Sequence, residues 1–255
     1  MTKKTDRSFD GIAAKFARNI YSSSKGALRQ AVLLRDLLEL SQLQQPCQVL
    51  DVGAGQGQVA LALAARGHSV HLTDISADML QMARQQADLA QLQQVSFEQV
   101  GLAQLAAAKP GVYPLVLCHA MLEWLAEPEQ ALAQLRQLVA PDGVLSLMFY
   151  NKDAKRFANM VFGNFDYVAA DLQVKKKVSL NPQQPLVPAE VLVWAQQAGF
   201  RLQGKTGVRC FHDYLRDRNL QHSHFDQLLA LELQFNRQEP YASLGRYQHL
   251  LLQAV

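Results

Sequence analysis

The stretch VLDVGAGQG, residues 49 to 57, constrains this chain more than any other: an apolar run ends in an acid and is followed by three glycines within five residues. A buried strand running into Gly53, Ala54, Gly55, Gln56 and Gly57 and then into a helix makes a tight turn whose bare backbone can approach a ligand closely. The spacing is GxGxG, which differs from the GxGxxG of dinucleotide turns, and no GK[ST] follows to make a P-loop. A nicotinamide dehydrogenase is therefore disfavoured. Asp74 closes the next apolar run, VHLTDIS, seventeen residues past Gly57. A carboxylate there can accept hydrogen bonds from both ribose hydroxyls of an adenosine lying across the strand ends. The alternative is a cap on the following helix, although Ser76 is the better cap candidate.

The loop opens a regular alternation. Strands are expected at 47–52, 69–73, 95–99, 113–119 and 143–150, with helices from 57, over 76–91 and over 128–139. Short β-rich runs alternating with amphipathic helices make βαβ units and a parallel sheet. Upstream, LRQAVLLRDLLELSQL at 28–43 has apolar residues at helical spacing and reads as a helix covering one face of that sheet. Past residue 150 the rhythm breaks. MVFGNFDYVAADLQVKKKVSLNPQQPLVP is long and poorly periodic before the helix PAEVLVWAQQAGF begins. FRLQGKTGVRCFHDY and GRYQHLLLQAV then read as two strands, with a helix at 224–236 between them.

Length and composition fit one globular domain over residues 1–255, with 49% hydrophobic and 18% charged residues. The distribution of charge says more than its total of +3. Residues 1–30 carry seven Lys or Arg against two acids, 31–150 carry five against eleven, and 151–255 carry thirteen against nine. An acidic centre thus has basic ends, which would attract a polyanion if both ends fold onto one face. Cys47, Cys118 and Cys210 are single and widely spaced, so neither a disulfide framework nor a zinc site is expected, and no metal is assigned. The N-terminus is basic without an apolar core, and no run approaches ~18 uncharged apolar residues, so a cytoplasmic protein without a membrane partner is expected.

Asp51 before the glycine loop, the loop itself and Asp74 together resemble the class I S-adenosylmethionine-dependent methyltransferases over about residues 47 to 150 and the final hairpin. The resemblance implies an α/β, Rossmann-like methyltransferase fold: a mostly parallel seven-stranded sheet with an antiparallel final strand and inserted substrate-recognition segments. It also implies S-adenosylmethionine as cofactor, held by Asp51, Gly53, Ala54, Gly55, Gly57 and Asp74. Further segments resemble one family closely, the bacterial tRNA carboxymethoxyuridine methyltransferases, which esterify the carboxylate of 5-carboxymethoxyuridine at the wobble position. These are FDGIAAKFARNIYSSSKGALRQA, CHAMLEW, LSLMFYN, NMVFGNFDYV, KKKVSL, GKTGVRCFHDYLR and QEPYASLGRYQH, and they span nearly the whole chain. GAGQG departs from the expected Gly-Gly-Gly-acid variant of the loop, so Gln56 makes no acidic contribution.

The family reading divides the chain into an N-terminal helical cap at 1–45, a cofactor-binding core at 46–150, and substrate-recognition insertions at 151–187 and 211–244. It implies that Arg29 reaches the carboxylate of S-adenosylmethionine and that His119 contacts the cofactor; the alternatives are an exposed helix residue and a structural histidine. Gly101 and Leu102, after the third strand, are expected near the adenine. Glu123 and Trp124 are read as fold-stabilising. Arg209, His212 and Arg246, with Tyr150 and Asn151 at the mouth after strand five, are candidates for the substrate phosphate or carboxylate. The arginines could equally be surface residues of the edge hairpin, and His212 a structural histidine. Lys175, Lys176 and Lys177, with Lys205 in GKTGVR, are candidate phosphate contacts beside the aromatics Phe162, Phe165 and Tyr167. The expected partner is a tRNA anticodon stem-loop rather than DNA. Two competing readings are a small-molecule carboxyl or nitrogen methyltransferase and a non-catalytic, cofactor-binding RNA adaptor.

Overall fold

The period-two pattern of the apolar runs becomes the two faces of one sheet. In the computed structural model, which describes residues 10–11, 23–108, 111–173 and 184–255, seven strands form a single sheet in the order β3-β2-β1-β4-β5-β7-β6. They are β1 (Gln48–Val52), β2 (Ser69–Asp74), β3 (Val95–Gln99), β4 (Tyr113–His119), β5 (Val139–Tyr150), β6 (Phe200–Val208) and β7 (Tyr247–Ala254). The first five run parallel, while β7 lies antiparallel to both β5 and β6. This is the α/β fold of the class I methyltransferases. The order reverses between β1 and β4, which opens a crevice at their carboxyl ends, where open α/β sheets bind ligands.

Eleven helices accompany the sheet among the described residues: α1 (Ser24–Leu38), α2 (Gln58–Ala64), α3 (Ala77–Leu89), α4 (Leu102–Ala108), α5 (Pro128–Leu138), α6 (Lys152–Val161), α7 (Phe165–Ala169), α8 (Pro188–Gln197), α9 (Leu220–Ser223), α10 (Phe225–Phe235) and α11 (Tyr241–Leu244). Alternate residues of each inner strand feed opposite layers. Leu115, Leu117, Val144 and Met148 pack with α1, α2, α3 and α10, whereas Val116, Cys118, Leu145, Leu147 and Phe149 pack with α4, α5 and α8. Both faces are therefore dry, as near-continuous apolar strands require.

Several boundaries differ from the sequence reading for identifiable reasons. The helix expected over 28–43 starts earlier, at Ser24, and ends at Leu38; residues 41–43 form a separate 3-10 turn. α4 was not anticipated, because seven alanine-rich residues make too few turns to show a period. β5 begins at Val139 rather than 143, since Val139 pairs with Tyr113 before an irregularity in the ladder. The stretch after 150 is not featureless. Asn151 starts α6 by accepting hydrogen bonds from the amides of Asp153 (2.9 Å) and Ala154 (3.2 Å), and α7 follows after Gly163. The run to Tyr214 read as strand stops pairing at Val208, where Arg209 turns into the left-handed region at φ 64°. Among the described residues no helix is long and apolar enough to cross a membrane.

Candidate cofactor cavity and substrate mouth

Gly53, Gly55 and Gly57 all adopt positive φ, at 65°, 55° and 66°, a backbone that disfavours side chains. At Gly53 a Cβ would stand 2.6 Å from Met121 Sδ, so the loop is narrow as well as left-handed. Gly57 serves differently: it precedes α2, and a Cβ there would fall 2.1 Å from Leu72 Cδ2. It lies outside the cavity lining, and its place in the motif is explained by packing rather than by ligand contact.

The loop and the strand ends enclose two adjoining compartments. The narrower one, about 80 Å³, is lined by Arg29, Asp51, Gly53, Ala54, Gly55, Asp74, Met79 and His119. The wider, about 490 Å³, continues from Gly53 and Asp74 past Ile75, Val100, Gly101 and Leu102 to Met121, Trp124 and Leu125. Nine of the ten residues expected at the cofactor thus meet around one crevice, from four strand ends and α1. Trp124, read from sequence as fold-stabilising, lines both compartments.

Electrostatically this crevice sets two buried acids, Asp51 and Asp74, in one lining with a single arginine, Arg29. Asp74 accepts from the amides of Gly55 and Ser76, each at 2.8 Å, and each of its oxygens keeps acceptor capacity. Ser76 caps α3 as expected, accepting from Met79 N at 3.3 Å. Burial raises the Asp74 carboxyl despite these bonds. Burial and then the neighbouring Asp74 push Asp51 up to about 8. Two dry carboxyls that repel each other suit a ligand bearing positive charge and hydroxyl donors. Glu123, on a 3-10 turn beside the crevice, is also buried; burial raises its carboxyl to about 7, against the opposing pull of the Glu123 and Tyr150 amides and the Arg29 charge.

Beyond Arg29 the charge inverts. Lys25 is one turn earlier on α1, within reach of the charges of Arg209, Arg218 and Arg246 and of the carboxylate Asp213. Burial and then this crowd of cations lower Lys25. Asp213 pairs with the Arg209 guanidinium, accepts from His212 Nδ1 at 2.9 Å, and lies 3.6 Å from Arg246 Nε. Burial alone would raise its carboxyl. The His212 hydrogen bond and the Arg209 and Arg246 charges outweigh it and hold Asp213 well below the usual carboxylate range. Arg246 stacks over Tyr150 at 4.9 Å and Arg209 over Tyr247 at 5.8 Å.

The structure brings together Tyr150, Arg209, His212 and Arg246 but gives them unequal freedom. His212 is fully buried with both ring nitrogens engaged, Nδ1 by Asp213 and Nε2 by Ser24 Oγ at 3.1 Å, which makes it a brace between the mouth and α1. Asn151 is buried too. Its Oδ1 caps α6 and its Nδ2 donates to the carbonyls of Ser243 and Gly245, leaving nothing for a ligand. Lys205 donates to Glu239 at 2.5 Å and to Ser243 at 2.9 Å, so its charge is already matched. Lys175, Lys176 and Lys177 lie outside the described residues.

Sequence reasoning missed the acids that organise this mouth. Asp213 stands inside the quoted run GVRCFHDY, yet its neighbours drew the attention. Glu232 of α10 accepts from three successive amides, Cys210, Phe211 and His212, at 2.7 to 2.9 Å, and so fixes the turn that carries Arg209. Lys25 gives no such signal either, because a lysine in the first turn of a helix reads as a solvated charge.

Comparisons with known proteins agree on the class. Residues 50–145 match the family model described as a methyltransferase domain. The chain is 47% identical over 248 residues to the tRNA 5-carboxymethoxyuridine methyltransferase of Escherichia coli strain K12, covering 96% of this chain and 95% of that protein. It is 29% identical over 161 residues to the ubiquinone biosynthesis O-methyltransferase of Acinetobacter baylyi, which covers 63% of this chain and 66% of the relative. Among solved structures, magnesium protoporphyrin IX methyltransferase from Synechocystis with bound SAH has a TM-score of 0.67 at 19% identity, over 97% of this chain and 96% of that one.

Proposed function

Because the chain belongs to the tRNA 5-carboxymethoxyuridine methyltransferase family, we infer that it transfers the methyl group of S-adenosylmethionine to the carboxylate of 5-carboxymethoxyuridine in tRNA, giving the methyl ester. The finer reading is that the acceptor is the wobble uridine of an anticodon stem-loop, splayed out into the mouth. The observation that carries it is the juxtaposition of buried acids in the crevice and clustered cations at the mouth, joined by one turn of α1.

The residues fit the methyl donor. Asp74 has acceptor capacity left for ribose hydroxyls, Gly101 and Leu102 flank the wider compartment beside apolar Ile75 and Leu125, and Asp51 with Arg29 and His119 suits the amino-acid end. When bound, S-adenosylmethionine supplies an electrophilic methyl on a cationic sulfur. The acceptor carboxylate is ionised near neutral pH, with a reference pKa of about 4, so no general base is required. Catalysis would then rest on this chain's residues desolvating the acceptor carboxylate and orienting it toward the bound methyl donor.

Arg246 and Arg209 are the groups that would fix the carboxylate or an adjoining phosphate. Both already share Asp213, which limits how tightly either can grip the nucleophile and so keeps it reactive. RNA contacts extend along α6 and α7. Phe157, Phe162 and Phe165 are exposed there, and Lys155 sits 5.7 Å from the Tyr150 ring and 5.5 Å from that of Tyr167. Exposed aromatic faces beside cations stack unpaired bases. Lys175, Lys176 and Lys177 are proposed to add phosphate contacts.

The test is incubation of the protein with methyl-labelled S-adenosylmethionine and bulk tRNA from cells lacking its gene, followed by nucleoside analysis. Label in an alkali-labile ester on a modified uridine is expected. Label confined to a small-molecule fraction, or cofactor and tRNA binding with no transfer, would overturn the reading in favour of one of its two competitors.

A further inference from the structure

Three strands and one helix bring four polar side chains into a row through the core. His119 Nε2 on β4 lies 2.8 Å from Ser146 Oγ on β5. Ser146 Oγ lies 2.8 Å from His249 Nε2 on β7, and His249 Nδ1 lies 2.7 Å from Asp36 Oδ2 on α1. Register explains the row: His119 stands opposite Met148 and Met148 opposite His249, while Ser146 is two residues earlier and so on the same face. Asp36, Ser146 and His249 are each at most 1% exposed, so these three are shut off from bulk water. Polar groups in so dry a place are costly unless donors and acceptors match throughout.

The hydrogens can be counted from the Asp36 end. Arg35 and Arg237 bond Asp36 Oδ1 at 2.7 and 2.6 Å. Although burial alone would raise the Asp36 carboxyl, His249 and Arg35 outweigh it and keep the group ionised. An ionised carboxylate only accepts, so His249 Nδ1 carries a hydrogen. With Asp36 already matched by two guanidiniums, and Arg237 shared with Glu39 at 2.7 Å, a second proton on His249 would add uncompensated charge to the core. His249 Nε2 therefore accepts from the Ser146 hydroxyl. Ser146 Oγ in turn accepts from His119, which puts the His119 proton on Nε2 and leaves Nδ1 as a lone pair.

We propose that Asp36, His249 and Ser146 are positioning residues: they form a relay of fixed polarity that holds His119 in its Nε2–H form, so that its other ring nitrogen meets the cofactor crevice as a hydrogen-bond acceptor. The consequence rests on reading that crevice as the S-adenosylmethionine site. There, beside Asp51 and Gly53, an acceptor nitrogen receives a hydrogen bond from the α-ammonium of the methionine end, whereas an N–H at the same place would turn it away. Burial, then His249 and then Arg29, keep the His119 ring neutral.

The tautomer is read directly in 15N-histidine protein by two-bond proton–nitrogen correlation, with His119 assigned from the signals lost in His119→Gln. The expected spectrum of the unliganded protein shows His119 protonated at Nε2 and bare at Nδ1. Ser146→Ala should scramble that pattern and raise the S-adenosylmethionine Kd about tenfold by calorimetry, the effect of one hydrogen bond to a charged group. Ser146→Thr, which keeps the hydroxyl, should restore both. A wild-type His119 protonated at Nδ1, or a Ser146→Ala protein with unchanged pattern and Kd, overturns the relay. Since the wild-type spectrum needs neither tRNA nor cofactor, it decides the relay even if a variant misfolds or the methylation assay fails.

Discussion

The crevice and the mouth adjoin each other yet are built in opposite ways. The crevice is made mostly of backbone and strand ends close together in sequence, and burial holds its acids above their ordinary range. At the mouth, long side chains come from α1, the turn after β6 and the start of β7, and their cations crowd one strongly held carboxylate. On the proposed reading, the difference matches each compartment to a ligand of opposite charge: a sulfonium and ammonium at the acids, a carboxylate and phosphates at the cations.

Removing the carboxylate at the mouth should have the largest effect. Asp213→Asn leaves Arg209 and Arg246 crowded without compensation and should lower unfolding free energy by about 3 kcal/mol, measured in urea at neutral pH. The native Asp213 value is depressed, so its stabilisation is fully present above the unfolded carboxylate range, near ~4, and is lost as pH falls below it. The variant should accordingly show a flatter acid limb than the wild type, whereas an unchanged limb would show that the mouth is not organised by this acid.

On the crevice side, Gly53→Val sets a β-branched side chain at positive φ and against Met121. Calorimetry should find S-adenosylmethionine binding weakened at least ~100-fold, from steric exclusion together with backbone strain of about 1–3 kcal/mol. Arg246→Ala should separate the two regions cleanly. Its kcat/KM for tRNA is expected to fall ~10-fold or more, the loss of one charge-assisted contact, with cofactor Kd unmoved; equal losses in both would erase the distinction drawn here.

The pH dependence of cofactor binding tests the acid crevice. Asp51 is raised to about 8 in the free protein, and a cationic ligand favours its ionised form, so binding releases a proton below that pH. Affinity should climb with pH by at most about tenfold per unit and level off near 8. The proton count comes from calorimetry in buffers of different ionisation enthalpy; a flat profile would contradict the assignment. The smallest effect belongs to Lys205. Already matched by Glu239 and Ser243, it should change tRNA Kd by no more than ~2-fold when replaced by alanine, as an exposed ion pair allows.

What could be read from sequence follows the same division. Gly53, Gly55, Asp74 and the strands beneath them were legible because glycine turns, strand ends and period-two runs are local signals. Gly57 and Asn151 were visible as well but misleading in role, since one fills its space against Leu72 and the other spends its amide on α6 and on the carbonyls of Ser243 and Gly245. The braces of the mouth and core were illegible. Ser24 meets His212 across 188 positions and Asp36 meets His249 across 213, and no spacing rule links residues so far apart. Buried acids such as Glu232 also look like surface charges on an amphipathic helix until the turn they hold is seen.

The most direct measurement compares two synthetic anticodon stem-loops, one bearing 5-carboxymethoxyuridine at the wobble position and one bearing 5-methoxyuridine there, each incubated with methyl-labelled S-adenosylmethionine. The account predicts alkali-labile label on the first alone, reduced ~10-fold or more with Arg246→Ala at fixed substrate and weakened by added salt as phosphate contacts are screened. Equal labelling of both loops, or no labelling of the carboxylate-bearing loop by a protein that binds the cofactor normally, would contradict it.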